Sequence, residues 1–138
     1  MAFRMTGQIR ATFAALVLAQ AAHSTEEYLG RLWEAVLPAE VVSLVFSSNP
    51  RRGFLIANVL IVGFGAWCVA WPVRRGWRVA PTLLWGWVVV EIANGILHPA
   101  VVLIMQRYIA GAVTAPVLLV LALRLAICCD LNGVWRRS

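Results

Sequence analysis

Long apolar runs constrain this chain more than any other feature. Four of them lie at about residues 9–28, 53–71, 79–104 and 112–129, and each is close to the roughly 20 residues that a helix needs to cross a bilayer. Only 13% of the residues are charged, about half the share of an ordinary soluble domain, and the mean hydropathy is +0.81. We therefore predict an all-α fold, a bundle of four transmembrane helices that forms one domain over residues 1–138.

The stretch between the first two runs has a different character. Residues 33–46 are fairly apolar, but Pro38 and Glu40 interrupt them, and the polar sequence Ser-Ser-Asn-Pro at 47–50 closes them. A stretch that is short, apolar and interrupted is better suited to the membrane surface than to its interior. We expect a short interfacial segment here.

The basic residues indicate which partner the chain has. All 12 are arginine, the net charge is +6, and they stand in pairs beside the apolar runs, as at 51–52, 74–75 and 136–137. Arginines in these places anchor helix ends among lipid headgroups, so the predicted partner is the lipid bilayer and not nucleic acid. Eight arginines on one side against four on the other favour an orientation with both termini inside.

The first run has a second interpretation. Residues 1–10 are basic, residues 11–19 are apolar, and Ala19-Gln20-Ala21 resembles a signal-peptide cleavage site. Cleavage there would remove the first helix and leave His23 near a new N-terminus. The polar residues that follow Ala21 favour a helix that is retained.

The histidines and acidic residues of the apolar runs fall into two sets. His23, Glu26 and Glu27 form H-x-x-E-E near the end of the first run, and the third run carries Glu91, Asn94 and His98. Because each helical residue turns by about 100°, each set occupies one face of its helix.

The predicted depths of the two histidines in the membrane also agree. The first and third helices run in the same direction in the predicted topology, and each histidine lies about six residues before the end of its run. Both imidazoles are therefore expected at a similar depth in the outer half of the membrane, with Glu91 about 10 Å deeper than His98. A carboxylate at the centre of a spanning helix costs about 2.5–3.5 kcal/mol, so such residues are candidates for function.

Imidazole and carboxylate groups together suit Fe²⁺, Mn²⁺ or Zn²⁺, and helical bundles hold such ions with inward-facing Glu and His side chains. The leading hypothesis is a metal-dependent integral membrane enzyme that acts on an apolar or amphipathic small molecule. Its predicted metal ligands are His23, Glu26, Glu27 and His98, and its predicted catalytic carboxylates are Glu27 and Glu91. The residues predicted to orient a ligand or to contact the substrate are Asn94, Tyr108 and Thr114.

Other interpretations stay open at this point. The H-x-x-E-E stretch also fits a plain helix end among the headgroups, and Glu91, Asn94 and His98 also fit hydrogen-bonded contacts between helices. At the level of function, the alternatives are a proton or metal carrier without enzymatic activity and an accessory membrane subunit with a structural polar network. Each could act alone or as an oligomer.

The two motifs resemble those of the HXXEE-domain membrane proteins, a bacterial and archaeal family. The matching features are His23 to Glu27, the E-x-x-N-x-x-x-H sequence that ends at His98, Tyr108, Gly111 and Thr114-Ala115. The resemblance covers about residues 12–128 and implies a small four-helix protein of the cytoplasmic membrane with a polar site of His, Glu and Asn. Where the family has a Pro-Gly step after the tyrosine, this chain has Ala110-Gly111.

Overall fold

The computed structural model describes residues 5–131, which form helices and turns without a strand. Arg4, Arg136 and Arg137, which enter the orientation argument, lie outside the described residues. The helices are α1 (Gly7–Leu29), α2 (Leu32–Ala35), α3 (Leu37–Phe46), α4 (Pro50–Cys68), which continues through a π-helical turn (Val69–Val73), α5 (Ala80–Met105) and α6 (Ala115–Leu131).

Local signals explain where two helices begin. Helix α4 starts three residues before the predicted apolar run, because the Asn49 side chain accepts a hydrogen bond from the Arg52 backbone N–H at 3.1 Å and Pro50 occupies the first turn. Helix α6 starts at Ala115, three residues later than predicted, because residues 110–114 form turns. The predicted interfacial segment is folded as the two short helices α2 and α3.

Two helices of the described chain are long and apolar enough to cross a membrane. They are α4 with its π turn, residues 50–73, and α5, residues 80–105. Helix α1 is long, but its second half carries the polar and ionisable H-x-x-E-E residues, and α6 has 17 residues and contains Arg124. The all-helical fold is thus confirmed for the described residues, whereas four membrane spans remain a prediction.

Contacts between rings and backbones fix the directions of the helices. Helices α1 and α5 are parallel, because Phe13 faces Trp87 at a centroid distance of 6.0 Å and His23 faces His98 at 4.7 Å. Helix α4 is antiparallel to α1, since Arg51 contacts Tyr28 at one end and Gly65 lies against Val17 at the other. Helix α6 packs against both α1 and α5.

Two apolar clusters fill the interior, one at each end of the bundle. The larger combines the first half of α1 with the ends of α4 and α6 and the start of α5, and includes Phe13, Leu84 and Leu125. The smaller is built around Trp33 of α2, Phe54 of α4 and the loop residues Ile109 and Ala110. His23 and His98 belong to neither cluster, so a polar layer lies between two apolar ones.

The approach of α5 to α6 depends on Gly95. A Cβ atom at this position would lie 2.5 Å from the Leu119 Cβ and 3.2 Å from the Ala115 carbonyl oxygen. The missing side chain lets the two backbones come close. Because Gly95 lies one turn before His98, this contact brings the imidazole under the start of α6.

Candidate metal centre

Two imidazoles and one carboxylate meet between α1 and α5. The Glu27 Oε1 atom lies 3.3 Å from the His23 Nε2 atom and 3.2 Å from the His98 Nε2 atom. One ligand atom from each of the three side chains falls within 4.8 Å of the others. The His23 side chain is fully buried, whereas those of Glu27 and His98 are each 12% exposed, so the cluster has one side that is open to the surroundings.

The helical repeat explains why α1 contributes these two groups. His23 and Glu27 are four residues apart, which places them one turn apart on one face. Glu26 is rotated by about 100° from Glu27. The two adjacent carboxylates consequently serve different neighbours, Glu27 facing α5 and Glu26 facing the start of α6.

Glu26 is held by four donors of the segment that precedes α6. Its Oε1 atom accepts hydrogen bonds from the Tyr108 hydroxyl at 2.6 Å and the Val113 N–H at 3.1 Å. Its Oε2 atom accepts from the Thr114 N–H at 2.9 Å and the Thr114 hydroxyl at 2.6 Å. The hydrogen bond to this carboxylate raises the pKa of Tyr108 to about 12. The contacts suit an ionised carboxylate, which is an acceptor only.

The Thr114 hydroxyl transmits this arrangement to His23. Its oxygen lies 2.7 Å from the His23 Nδ1 atom as well as 2.6 Å from Glu26. A hydroxyl has one hydrogen; since Thr114 donates it to Glu26, the oxygen accepts a hydrogen bond from the Nδ1–H of His23. When the imidazole is neutral, its single proton is therefore on Nδ1 and an electron pair is left on Nε2.

This tautomer creates an unfavourable contact at the centre of the cluster. The His23 Nε2 atom is buried and makes no hydrogen bond among the described residues, although the Glu27 Oε1 atom is 3.3 Å away. Two electron-rich atoms thus face each other in a dry environment, where repulsion is weakly screened. A cation between them, either a metal ion or a proton, would remove the repulsion.

The two distances to Glu27 suit a metal ion. Ligand atoms bound to one tetrahedral ion at 2.0–2.2 Å are separated by about 3.3 Å or slightly more, and the separations of Glu27 from the two imidazoles are 3.3 and 3.2 Å; all three ligand atoms lie within 4.8 Å of one another. The hydrogen bonds that link His23 through Thr114 to Glu26 also resemble those of known metal sites. There, a carboxylate outside the set of ligands orients a metal-binding imidazole through the ring nitrogen that does not bind the metal.

Gly111 closes the cluster from the loop side. Its φ is +96°, and a Cβ atom there would lie 2.5 Å and 2.6 Å from the Cε1 and Nδ1 atoms of His98 and 2.8 Å from the Cε1 atom of His23. Glycine is required both by this backbone conformation and by the closeness of the rings. The loop backbone thereby covers both imidazoles.

Glu91 belongs to a second polar group, deeper in the bundle. It is fully buried, and its Oε2 atom accepts a hydrogen bond from the Asn94 amide at 3.2 Å. With its amide nitrogen turned towards Glu91, Gln20 donates to both carboxylate oxygens at 3.0 and 3.1 Å while its oxygen accepts from the Ser24 hydroxyl at 3.1 Å. Glu91 is also close enough to His23 and Glu27 for a charge on either group to act on it.

Of the four predicted ligands, His23, Glu27 and His98 lie together, whereas all the described contacts of the Glu26 carboxylate are with Tyr108, Val113 and Thr114. The two predicted partner residues of the loop, Tyr108 and Thr114, are therefore in contact with Glu26 rather than with the three-residue cluster, except for the Thr114 hydroxyl, which reaches His23.

Asn94 lies against Glu91 and not against His98 in the described contacts. Gln20 and Ser24, which α1 supplies to this deeper group, were not among the residues predicted from the sequence. Their spacing in the sequence could have indicated them. Gln20, Ser24 and Glu27 are separated by four and three residues and therefore share one stripe of α1 with His23.

Comparison with known proteins places this chain in a family. A family model described as "protein of unknown function with HXXEE motif" matches residues 14–125, a range that contains His23, Glu27, Glu91, His98 and Thr114. The chain belongs to this family. No curated protein and no solved structure matches the chain.

Proposed function

We propose that this member of the HXXEE family is a metal-dependent integral membrane enzyme whose ion is held by His23, Glu27 and His98. The observation that carries the proposal is the buried Nε2 electron pair of His23, which faces the Glu27 oxygen at 3.3 Å without a hydrogen bond. A divalent cation at this point would convert a repulsive contact into two coordination bonds.

The donor set suggests the chemistry. Two imidazoles and one carboxylate hold Fe²⁺ in oxygenases and Zn²⁺ in hydrolases, in each case with positions left open for substrate or water. A bound ion would supply Lewis-acid or oxygen-activating chemistry. The chain itself would orient His23 through Thr114 and Glu26, exclude water on the Gly111 side, and admit a reactant where Glu27 and His98 are exposed.

An apolar or amphipathic substrate follows from the surroundings of the site. Apolar side chains cover the outside of α5 and α6 on both sides of it: Val90 is 51% exposed, Leu97 58% and Val117 51%. A patch of this kind on a protein of 138 residues indicates contact with lipid. We propose four membrane spans, with both termini on the cytoplasmic side and the cluster in the outer half of a bacterial or archaeal cytoplasmic membrane.

Glu91 would serve this enzyme as a proton-handling carboxylate close to the ion. It lies in the most apolar stretch of α5 with two amides as its neighbours, and buried carboxylates of this kind take up or release protons in membrane proteins. Asn94 and Gln20 would be positioning residues that fix its carboxylate plane.

Elemental mass spectrometry on the full chain, purified in mild detergent and loaded with Fe²⁺, Mn²⁺ or Zn²⁺, tests the metal proposal. The wild type is expected to retain about one equivalent of one of these ions, and the Glu27→Gln and His98→Gln variants to retain less than a tenth of that amount. Glu40→Gln changes an exposed carboxylate outside the cluster and should bind like the wild type. Equal metal contents in all four proteins would reject the proposed ligands.

The same contact supports one alternative. A proton shared by His23 Nε2 and Glu27 Oε1 would also remove their repulsion, and Glu91 could exchange it with the interior, as in a proton carrier. In that case no ion is retained under any loading condition. Proton flux into vesicles that contain the reconstituted protein would then fall when Glu91 is replaced by Gln.

A further inference from the structure

A groove runs along the outside of the bundle between α1 and α4, on the face of α1 next to the one that carries His23 and Glu27. Its volume is about 460 Å³, which lies within the range of about 300–1,000 Å³ for small-molecule sites. From α1 it is lined by Ala21, Ser24, Thr25 and Tyr28. These residues follow the i, i+3, i+4, i+7 pattern of a single stripe, so the groove follows the helix axis.

The other wall is an apolar stripe of α4. Leu55, Asn58, Val59 and Val62 repeat with the same spacing, and Gly63 continues this wall. Eight residues separate the first from the last, and at about 1.5 Å per residue the wall is about 12 Å long. Leu55 is 43% exposed and Val59 61%, which shows that the groove opens sideways, in the direction from which lipid would approach α4.

The polar groups within the groove are already satisfied by the protein. The Thr25 hydroxyl donates to the Ala21 carbonyl oxygen at 2.8 Å, and the Asn58 amide donates to the Phe54 carbonyl oxygen at 3.1 Å. The Ser24 hydroxyl is engaged with Gln20. An occupant therefore meets a surface that is apolar in effect, and this surface suits an acyl chain.

One end of the groove is positively charged. Arg51, in the first turn of α4, donates from Nε to the Tyr28 hydroxyl at 3.0 Å and lies 5.8 Å from the centroid of that ring. Arg52 is adjacent and exposed. Among the described residues, neither guanidinium forms an ion pair with a carboxylate; Glu34 pairs with Arg31 instead. Glu40 lines the neighbouring cleft with Arg51 but is not paired with it.

We infer that this groove binds one acyl chain of an anionic membrane phospholipid, whose headgroup phosphate contacts Arg51 and Arg52. The apolar stripe gives affinity for the chain, and the two arginines select the negative headgroup, because each juxtamembrane basic residue adds attraction to anionic lipid. This lipid site is separate from the metal centre and does not depend on the proposed enzymatic function.

Native mass spectrometry of the full chain from detergent micelles tests the inference with two lipids that share palmitoyl and oleoyl chains, phosphatidylglycerol and phosphatidylcholine. The first lipid bound by the wild type is expected to be phosphatidylglycerol, with about 25-fold preference over phosphatidylcholine. Equal binding of the two lipids would overturn the assignment of the arginines to an anionic headgroup.

Two glycine-to-leucine substitutions, one inside the groove and one outside it, test whether the lipid occupies the groove. A Cβ atom at Gly63 or at Gly86 meets nothing within 4 Å, and both residues are exposed in long helices, so leucine fits at either position. Gly63→Leu fills the groove and should remove the first bound lipid, whatever its headgroup. Gly86→Leu lies on α5 and should leave it in place; the same lipid binding in both variants would overturn the inference.

A second pair of arginines, beyond the other end of α4, provides a control for the two at the groove. Arg51→Gln with Arg52→Gln should lower the affinity for phosphatidylglycerol about 25-fold and leave that for phosphatidylcholine unchanged. Arg74→Gln with Arg75→Gln removes the same charge elsewhere and should change neither. Equal losses in the two double variants would show general attraction to charge and contradict a specific headgroup site. Since Arg51 also contacts Tyr28, Arg52→Gln alone serves as the variant that leaves this packing intact, with a loss of about fivefold expected.

Discussion

The Thr114 hydroxyl lies 2.7 Å from the His23 Nδ1 atom and connects two residues that are 91 positions apart in the chain. Because the same hydroxyl donates to Glu26, it fixes the imidazole tautomer and directs the Nε2 electron pair towards Glu27. Residues that orient a metal-binding imidazole in this way are worth about 10- to 100-fold in metal affinity.

Thr114→Val is therefore expected to weaken metal binding by about 10- to 100-fold, because valine keeps the shape of threonine but offers the imidazole no acceptor. Thr114→Ser retains the hydroxyl and should bind within about threefold of the wild type. Competition with a chromophoric chelator measures both constants. If the valine variant binds as tightly as the serine variant, the hydroxyl does not orient His23.

Gly111→Ala should destroy the site and destabilise the fold. The added methyl group would meet both imidazoles at 2.5–2.8 Å in a backbone with φ of +96°. Gly76→Ala is the control for backbone strain alone, since Gly76 has φ of +65° with nothing within 4 Å of its Cβ position. We expect Gly76→Ala to cost about 1–2 kcal/mol and to retain the metal.

The measurements for this pair are the unfolding free energy in detergent and the metal content after loading. Gly111→Ala should lose more unfolding free energy than Gly76→Ala and should lose the ion as well. A Gly111→Ala protein that retains the ion would mean that the loop moves away from the rings without consequence, contrary to a closed site.

Much of the candidate site follows from local rules. Helical spacing alone places His23 beside Glu27, and the similar position of the two histidines within parallel helices predicts that they meet, as their centroid distance of 4.7 Å shows. The all-helical fold follows from the apolar runs. These features depend on periodicity and length, which a sequence displays directly.

Other features depend on tertiary structure that a single sequence does not display. Glu26 and Glu27 are adjacent, and only the position of α6 decides that Glu26 faces Thr114 while Glu27 faces His98. The contact of Gly111 with both rings arises from the turn before α6. The start of α6 could not be placed from composition, because the loop before it is nearly as apolar as the helix.

The phenol of Tyr108 should titrate at high pH. Its pKa is raised from 10 to about 12 because the hydroxyl donates to the Glu26 carboxylate. A pKa that is higher in the folded state means that the hydrogen bond contributes to stability fully below pH 10 and that this contribution is lost as the pH rises through 12.

The chain has two tyrosines, so Tyr28→Phe leaves Tyr108 as the single phenol for titration by tyrosinate absorbance. We expect a midpoint near pH 12 in this background and a midpoint nearer pH 10 when Glu26→Gln is added. A midpoint that does not move on addition of Glu26→Gln would show that the phenol is not bonded to this carboxylate in solution.

The partners of Glu91 provide a test of the deeper polar group. Gln20→Leu removes the amide that donates to both Glu91 oxygens, and leaves a buried carboxylate with Asn94 as its remaining side-chain donor among the described residues. Loss of a partner to a buried polar group costs about 1–3 kcal/mol, so the unfolding free energy in a titration with sodium dodecyl sulfate should fall by about this amount.

Gln8→Leu makes the same change at an exposed position of α1 and should alter the unfolding free energy by less than about 0.5 kcal/mol. Equal effects of the two substitutions would mean that Gln20 does not donate to Glu91, and the stripe that joins Gln20, Ser24 and Glu91 would then have to be assigned differently.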